Sequence, residues 1–177
     1  MRRFAVVFIA KVSFIVAVAG CVGACFAQQA GQNIDLSADA RIVLSSKGEG
    51  VQIYACTAAG EGFKWTLKGP DAKLLDATGR EIGTHFAGPT WKLADGSMVQ
   101  GEVVASRPAP QPDAVPWLLL RAKAGTASGS LASVAFIRRT ATHGGIAPAT
   151  GCAAAADADK SVRIPYSATY NFYSAPK

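Results

Sequence analysis

From Arg41 onward the chain is written in short runs of alternating apolar and polar residues, the period-two signature of strands. Val51-Gln52-Ile53-Tyr54-Ala55-Cys56 sets Val51, Ile53 and Ala55 on one face and Gln52, Tyr54 and Cys56 on the other. Phe63, Trp65 and Leu67 share a face of the next run, and Met98–Ala105 sets Val99, Val103 and Ala105 against Gln100 and Glu102. Trp117–Ala124 directs Leu118, Leu120 and Ala122 inward and Arg121 and Lys123 outward. Leu131–Thr140 carries apolar residues on both faces, which predicts a central strand. The closing run is the clearest: Val162, Ile164, Tyr166, Ala168, Tyr170 and Phe172 share one parity, opposite Arg163, Ser167, Thr169 and Asn171. Pro165, which has no N–H to give to a ladder, marks an edge or a bulge there.

Between these runs lie turn signals. Lys47-Gly48-Glu49-Gly50 reads as a turn after a short strand at Arg41–Leu44. Phe63–Ser106 holds a near-repeat: Gly69-Pro70 and Gly88-Pro89 each introduce a short strand, followed by Asp76–Gly79 and Asp95-Gly96, with return strands ending at Gly83 and Gly101. That pattern predicts two consecutive β-hairpins. Arg107–Pro112, with three prolines, predicts a stiff extended crossover on the surface. His143–Cys152 is a glycine-rich loop, and Ala153–Lys160 has no apolar period to dock a helix. About ten short strands without an amphipathic helix predict an all-β fold, an antiparallel β-sandwich with a β-barrel as the alternative.

The first residues obey different rules. Met1-Arg2-Arg3 is basic, Phe4–Ala19 is apolar apart from Lys11, and small residues follow up to Ala27. This is the anatomy of a secretory signal, too short and too interrupted for a spanning helix. The expected organisation is a signal peptide over 1–27, a flexible lead-in over 28–40 and a single β-domain over 41–177. Cys25-Phe26-Ala27 provides a cleavage site before Gln28, which makes the product periplasmic or secreted. Val18–Cys21 and Val22–Cys25 also resemble lipoboxes, so a lipid anchor at Cys21 or Cys25 is the alternative. Cleavage at Gln28 leaves an even pair, Cys56 and Cys152, in an oxidising compartment, which predicts a structural disulfide.

Charge narrows the partners. Removing Arg2, Arg3 and Lys11 from a formal charge of +6 leaves +3. There is no Lys/Arg cluster, since Arg138-Arg139 is only a pair, and this gives no support to nucleic-acid binding.

Val51–Cys56, the Trp65 strand, Gly83–Trp91, Val115–Leu120, Gly144–Cys152 and Val162–Tyr173 together resemble, in this order, domain of unknown function 3455. The resemblance implies exported proteins of bacteria and fungi without an established activity. Fungal relatives carry a malate dehydrogenase label, but this chain has neither Gly-x-Gly-x-x-Gly after a strand nor βαβ alternation. Relatives often carry a His shortly after the second Cys; here Ala153–Ala156 stand in that place.

Among candidate site residues, His85 lies between glycine-bounded turns beside Phe86 and near Trp91. It suits a ligand contact, a general base or a hydrogen bond that ties a turn together. Parity expects Phe86 to anchor the segment in the core with His85 facing out, and Trp91 to be the exposed one of three tryptophans that otherwise build the core. His143 is the other histidine, and no spacing with Asp71, Asp76 or Asp95 defines a metal site. Ser128-Gly129-Ser130 is a polar turn rather than a nucleophile elbow. No catalytic residue is assigned and no cofactor is expected. The leading expectation is a non-catalytic module that binds a small molecule, glycan or envelope component through His85 and Trp91. A hydrolase or metal-assisted enzyme using His85 is the alternative, and a purely structural protein a third reading.

Overall fold

The computed structural model describes residues 33–176. Eight antiparallel strands follow one another: β1 (Ile42–Ala59), β2 (Gly62–Leu75), β3 (Glu81–Phe86), β4 (Thr90–Leu93), β5 (Met98–Arg107), β6 (Trp117–Ala122), β7 (Val134–Gly144) and β8 (Ser161–Ser174). Each pairs with its neighbours in sequence, and β8 returns to pair with β1, closing a barrel. The fold is therefore all-β and antiparallel, and of the two architectures expected the barrel is the one formed. Closure leaves no strand with a free edge along its whole length. Pro165 falls where β7 has already ended at Gly144↔Tyr166, so β8 there has a neighbour on one side only.

Both predicted hairpins exist, as β2–β3 around Asp76–Gly79 and β4–β5 around Asp95-Gly96. Their Gly-Pro pairs play unequal parts. Gly88-Pro89 turns β3 into β4, whereas Gly69-Pro70 lies inside β2, where Lys68 is an extra residue against β1. Further register shifts occur between Val103 and Ala105 on β5 and between Val134 and Phe136 on β7. A single extra residue moves everything after it to the other face. Hence Val99 belongs to the inner core, while Ala105 packs outside with Leu119 and Ile34. The two-faced pattern of Leu131–Thr140 has the same origin: Val134 and Ile137 fill the barrel, and Phe136 joins the outer cluster with Trp117 and Leu36. Over its described part the lead-in lies on the barrel, because Ile34 is buried in that outer cluster.

The expected turn at Lys47–Gly50 is not formed; β1 runs straight through it. Its glycines provide room rather than a bend. The inner face of β1 is Ser46, Gly48, Gly50, Gln52, Tyr54 and Cys56, the small and polar set, and the bulk is supplied by Tyr166, Tyr170 and Phe172 on the neighbouring β8 and by Trp91 on β4. A Cβ on Gly48 would stand 2.5 Å from Cε2 of the fully buried Tyr170 ring. Gly48→Ala is expected to cost about 1–3 kcal/mol through that clash. Urea denaturation checks it, and an unchanged midpoint and slope would show that the ring moves freely.

The two ends of the barrel differ. The β2–β3, β4–β5 and β6–β7 turns meet at one end, where Leu131, on the 3-10 turn Gly129–Leu131, plugs the bore beside Leu74, Val134 and Phe172. At the other end β1, β2 and β8 run on past the remaining strands as a three-stranded wall. The Cys56–Cys152 disulfide, with Cα atoms 5.5 Å apart, joins this wall to the 145–152 loop. The Tyr54 hydroxyl donates to the Gly145 carbonyl at 2.7 Å and Trp65 Nε1 to the Thr150 carbonyl at 3.0 Å, tying down the same loop.

Candidate functional site

The walled end is open. A cavity of about 270 Å³ enters the barrel there, between the Gly88-Pro89 turn, the β1–β2 wall and the start of β6. Its depth is aromatic. His85 stacks on Trp91 with ring centroids 4.4 Å apart and planes 7° from parallel, and Tyr170 meets both rings edge-on at 5.0 and 5.5 Å. Its lip is apolar: Leu67, Pro70, Pro89, Val103 and Leu118 line it, and Leu67 and Val103 are 52% and 50% exposed although they face the bore. Gln52, Lys68 and Arg139 supply its polar lining, and no carboxylate lines it among the described residues.

His85 is held by the main chain. Its Nδ1 lies 2.9 Å from the Thr90 carbonyl oxygen. A carbonyl only accepts, so Nδ1 carries the proton and Nε2 keeps its lone pair. At 2% exposure the ring is desolvated, which pushes its pKa down to about 3; the Thr90 bond works against that shift and the nearby Arg139 charge adds to it. His85 is therefore neutral at any physiological pH. A general base works best with a pKa near the operating pH, and this imidazole lies far below it.

Arg139 stands on β7 across from Leu118 on one side and Tyr170 on the other. Its Nε and Nη2 donate to the Pro116 carbonyl at 3.1 and 2.8 Å. Among the described residues no carboxylate forms an ion pair with it, although Arg80, Arg121, Arg138 and Arg163 each have one. Burial raises the pKa of Tyr54, Tyr166 and Tyr170, and the Arg139 charge opposes the rise in all three. Two buried polar atoms at the cavity, Gln52 Oε1 and Trp91 Nε1, have no partner among the described residues. Leaving such a group unmet costs about 1–3 kcal/mol.

The structure brings His85 and Trp91 together, as the sequence suggested, but with their exposure reversed. His85 faces the bore and Phe86 is 39% exposed on the outside, because the barrel interior supplies the imidazole with a stacking partner and a carbonyl. Trp91 is 1% exposed, reaching the cavity only from beneath. Trp65 covers the disulfide loop, and Trp117 packs outside with the Arg107 guanidinium over its ring. The other candidates stand apart. His143 is exposed, Asp71 pairs with Arg163, and Asp76 and Asp95 build turns through Thr78 and Ser97. Asp76 is held at about 2, chiefly by the Thr78 hydroxyl. Among the described residues no group of three His, Cys, Asp or Glu is placed to hold a metal ion.

Gln52 and Arg139 were not singled out by sequence. Both had a signal: Gln52 shares the parity of Cys56, and Arg139 that of the core residue Ile137, so each is a polar side chain on an inward face. No helix among the described residues is long and apolar enough to cross a membrane. The two amino-terminal lipobox cysteines and the cleavage site lie outside the described residues.

The family model described as a protein of unknown function, DUF3455, matches residues 37–174, which takes in all eight strands. No curated protein and no solved structure matches the chain.

Proposed function

We propose that this chain, which belongs to the DUF3455 family, is an exported β-barrel module that binds a small, largely apolar molecule in the open mouth of its barrel. The observation that carries the reading is the pair Leu67 and Val103, apolar side chains that face the bore and stand half exposed around the cavity. Side chains facing the bore of an eight-stranded barrel either fill it or surround one small ligand. Here they fill the closed end and leave the walled end empty. An apolar lip over an aromatic floor with a few polar groups is the usual make-up of a ligand pocket, and its volume lies just under the range for drug-sized molecules. Export rests on the amino-terminal pattern, with a soluble product favoured over a lipid-anchored one. An enzyme using His85 finds no support in an imidazole this weakly basic.

The test is thermal unfolding of the mature chain with benzyl alcohol and benzoate as probes, beside Val103→Trp, which closes the mouth from a half-exposed position. At a probe concentration ten times Kd the gain is about 1.4 kcal/mol, or several degrees in Tm. The wild-type chain is expected to show that shift with at least one probe, and the variant to fold normally without it. Equal responses from both proteins would place binding elsewhere, and no response from either would remove the reading.

A further inference from the structure

We infer that the ligand is a compact monocarboxylate with an apolar body, of about the size of benzoate, whose carboxylate is held by Arg139. The inference rests on the binding reading above and adds the chemical class.

Charge is the first argument. Arg139 is a permanent cation, half-buried at the cavity and without a carboxylate partner among the described residues. A charge removed from water is costly unless it is paired, and the Pro116 carbonyl uses only two of its five N–H groups. A further N–H faces the Tyr170 hydroxyl, and the guanidinium donors that remain are suited to a carboxylate. The second cation, Lys68, stands at the same lip, and no acid opposes either within the lining. An anionic ligand is the species that this field admits.

The walls then choose among anions. Leu67, Val103 and Leu118 offer an inorganic anion nothing in exchange for its hydration, whereas they bury a ring or a branched alkyl group favourably. The cavity is too small for a long chain at about 270 Å³. At its floor the neutral His85 offers a lone pair on Nε2, and Gln52 Oε1 is an acceptor without a partner. Both favour a ligand with a hydrogen-bond donor on its inner end, such as a hydroxyl opposite the carboxylate.

The experiment is calorimetric titration of the mature chain at low ionic strength with benzoate, 4-hydroxybenzoate, benzamide and inorganic phosphate. It is run on the wild type, Arg139→Gln, Arg139→Lys and Lys68→Gln. Benzoate is expected to bind at least about tenfold more tightly than benzamide, 4-hydroxybenzoate more tightly still, and phosphate not at all. Arg139→Gln is expected to erase the preference of benzoate over benzamide while benzamide affinity stays within about twofold; Arg139→Lys restores part of it, and Lys68→Gln matters less. If benzamide binds wild type as well as benzoate does, or if Arg139→Gln weakens both probes equally, the carboxylate assignment falls and the pocket stands. Phosphate competing on equal terms with benzoate makes it a plain anion site and also overturns the assignment. If no organic probe binds, the pocket reading falls with it.

Discussion

Replacing Cys56 and Cys152 together by serine is expected to lower the stability of the folded chain by about 4–5 kcal/mol. The bond closes a loop between residues 96 apart in sequence, so it removes a large share of the freedom of the unfolded chain. The folded state loses by the change as well. Cys56 is fully buried opposite Trp65, and Cys152 ends the loop that carries the carbonyl acceptors for Tyr54 and Trp65. With the bond cut, those two hydrogen bonds and short contacts are left to hold the loop on the wall. Gly145 in that loop abuts Gln52 and Tyr166, so probe binding is expected to weaken along with stability. Guanidinium denaturation of oxidised, reduced and doubly substituted protein measures the effect. Equal midpoints for all three would mean that the barrel alone carries the stability, and two free thiols in unreduced protein would mean that the bond is absent.

Acid is expected to unfold the chain through His85, well before its carboxylates matter. The folded-state pKa of His85 is about 3 against an ordinary value of 6.5, so between these pH values the unfolded chain takes up a proton that the folded chain refuses. Stability from this group is whole above pH 6.5 and drains away as pH falls towards 3, at about 1.4 kcal/mol per pH unit. At pH 5 the loss is about 2 kcal/mol relative to pH 7. Asp76 and Asp157, whose pKa values are lowered from 3.8 to about 2, withdraw their contributions only below about pH 4, outside the range from pH 7 to 5. The Arg139 charge adds to the depression of the His85 pKa. His85→Asn, which preserves a donor for the Thr90 carbonyl without a titrating group, is expected to be less stable at pH 7 but nearly flat from pH 7 to 5. A wild-type profile that is level over that range, or a variant that retains the slope, would show that protonation of His85 is not what the acid acts on.

Strand content and turn positions were legible because alternation is local. Val162–Phe172 marks its buried face without help from any other strand, and Asp95-Gly96 sets its turn alone. Closure was not legible, since a sandwich and a barrel differ in whether β1 meets β8, a pairing between residues such as Gly48 and Ala168 that leaves no local mark. The bulges hid more. Val103 and Ala105 share a parity in sequence, yet Val104 inserts between them and sends one to the cavity and the other to the outer cluster. The site suffered from a different assumption, that bulky apolar residues go inside and polar ones outside. Inside this barrel the aromatic floor needs a carbonyl-bonded imidazole and small neighbours on β1, so His85, Gln52 and Gly48 occupy the bore while Phe86 and Ile42 remain outside. Arg138-Arg139 reads in sequence only as a basic pair, although Arg138 belongs to the outer face, bonded to the Tyr173 hydroxyl, and Arg139 to the inner one.

The most direct test of the barrel-mouth site is methyl-resolved NMR of the mature chain, titrated with benzoate and benzyl alcohol. The methyl signals of Leu67, Val103, Leu118 and Leu120, which line the cavity, are expected to move in a saturable way, and those of Leu131 and Val134 at the plugged end to stay in place. Movement confined to Ile34 and Leu119 on the outside of the barrel, or no saturable movement at any methyl, would contradict a ligand site in its mouth.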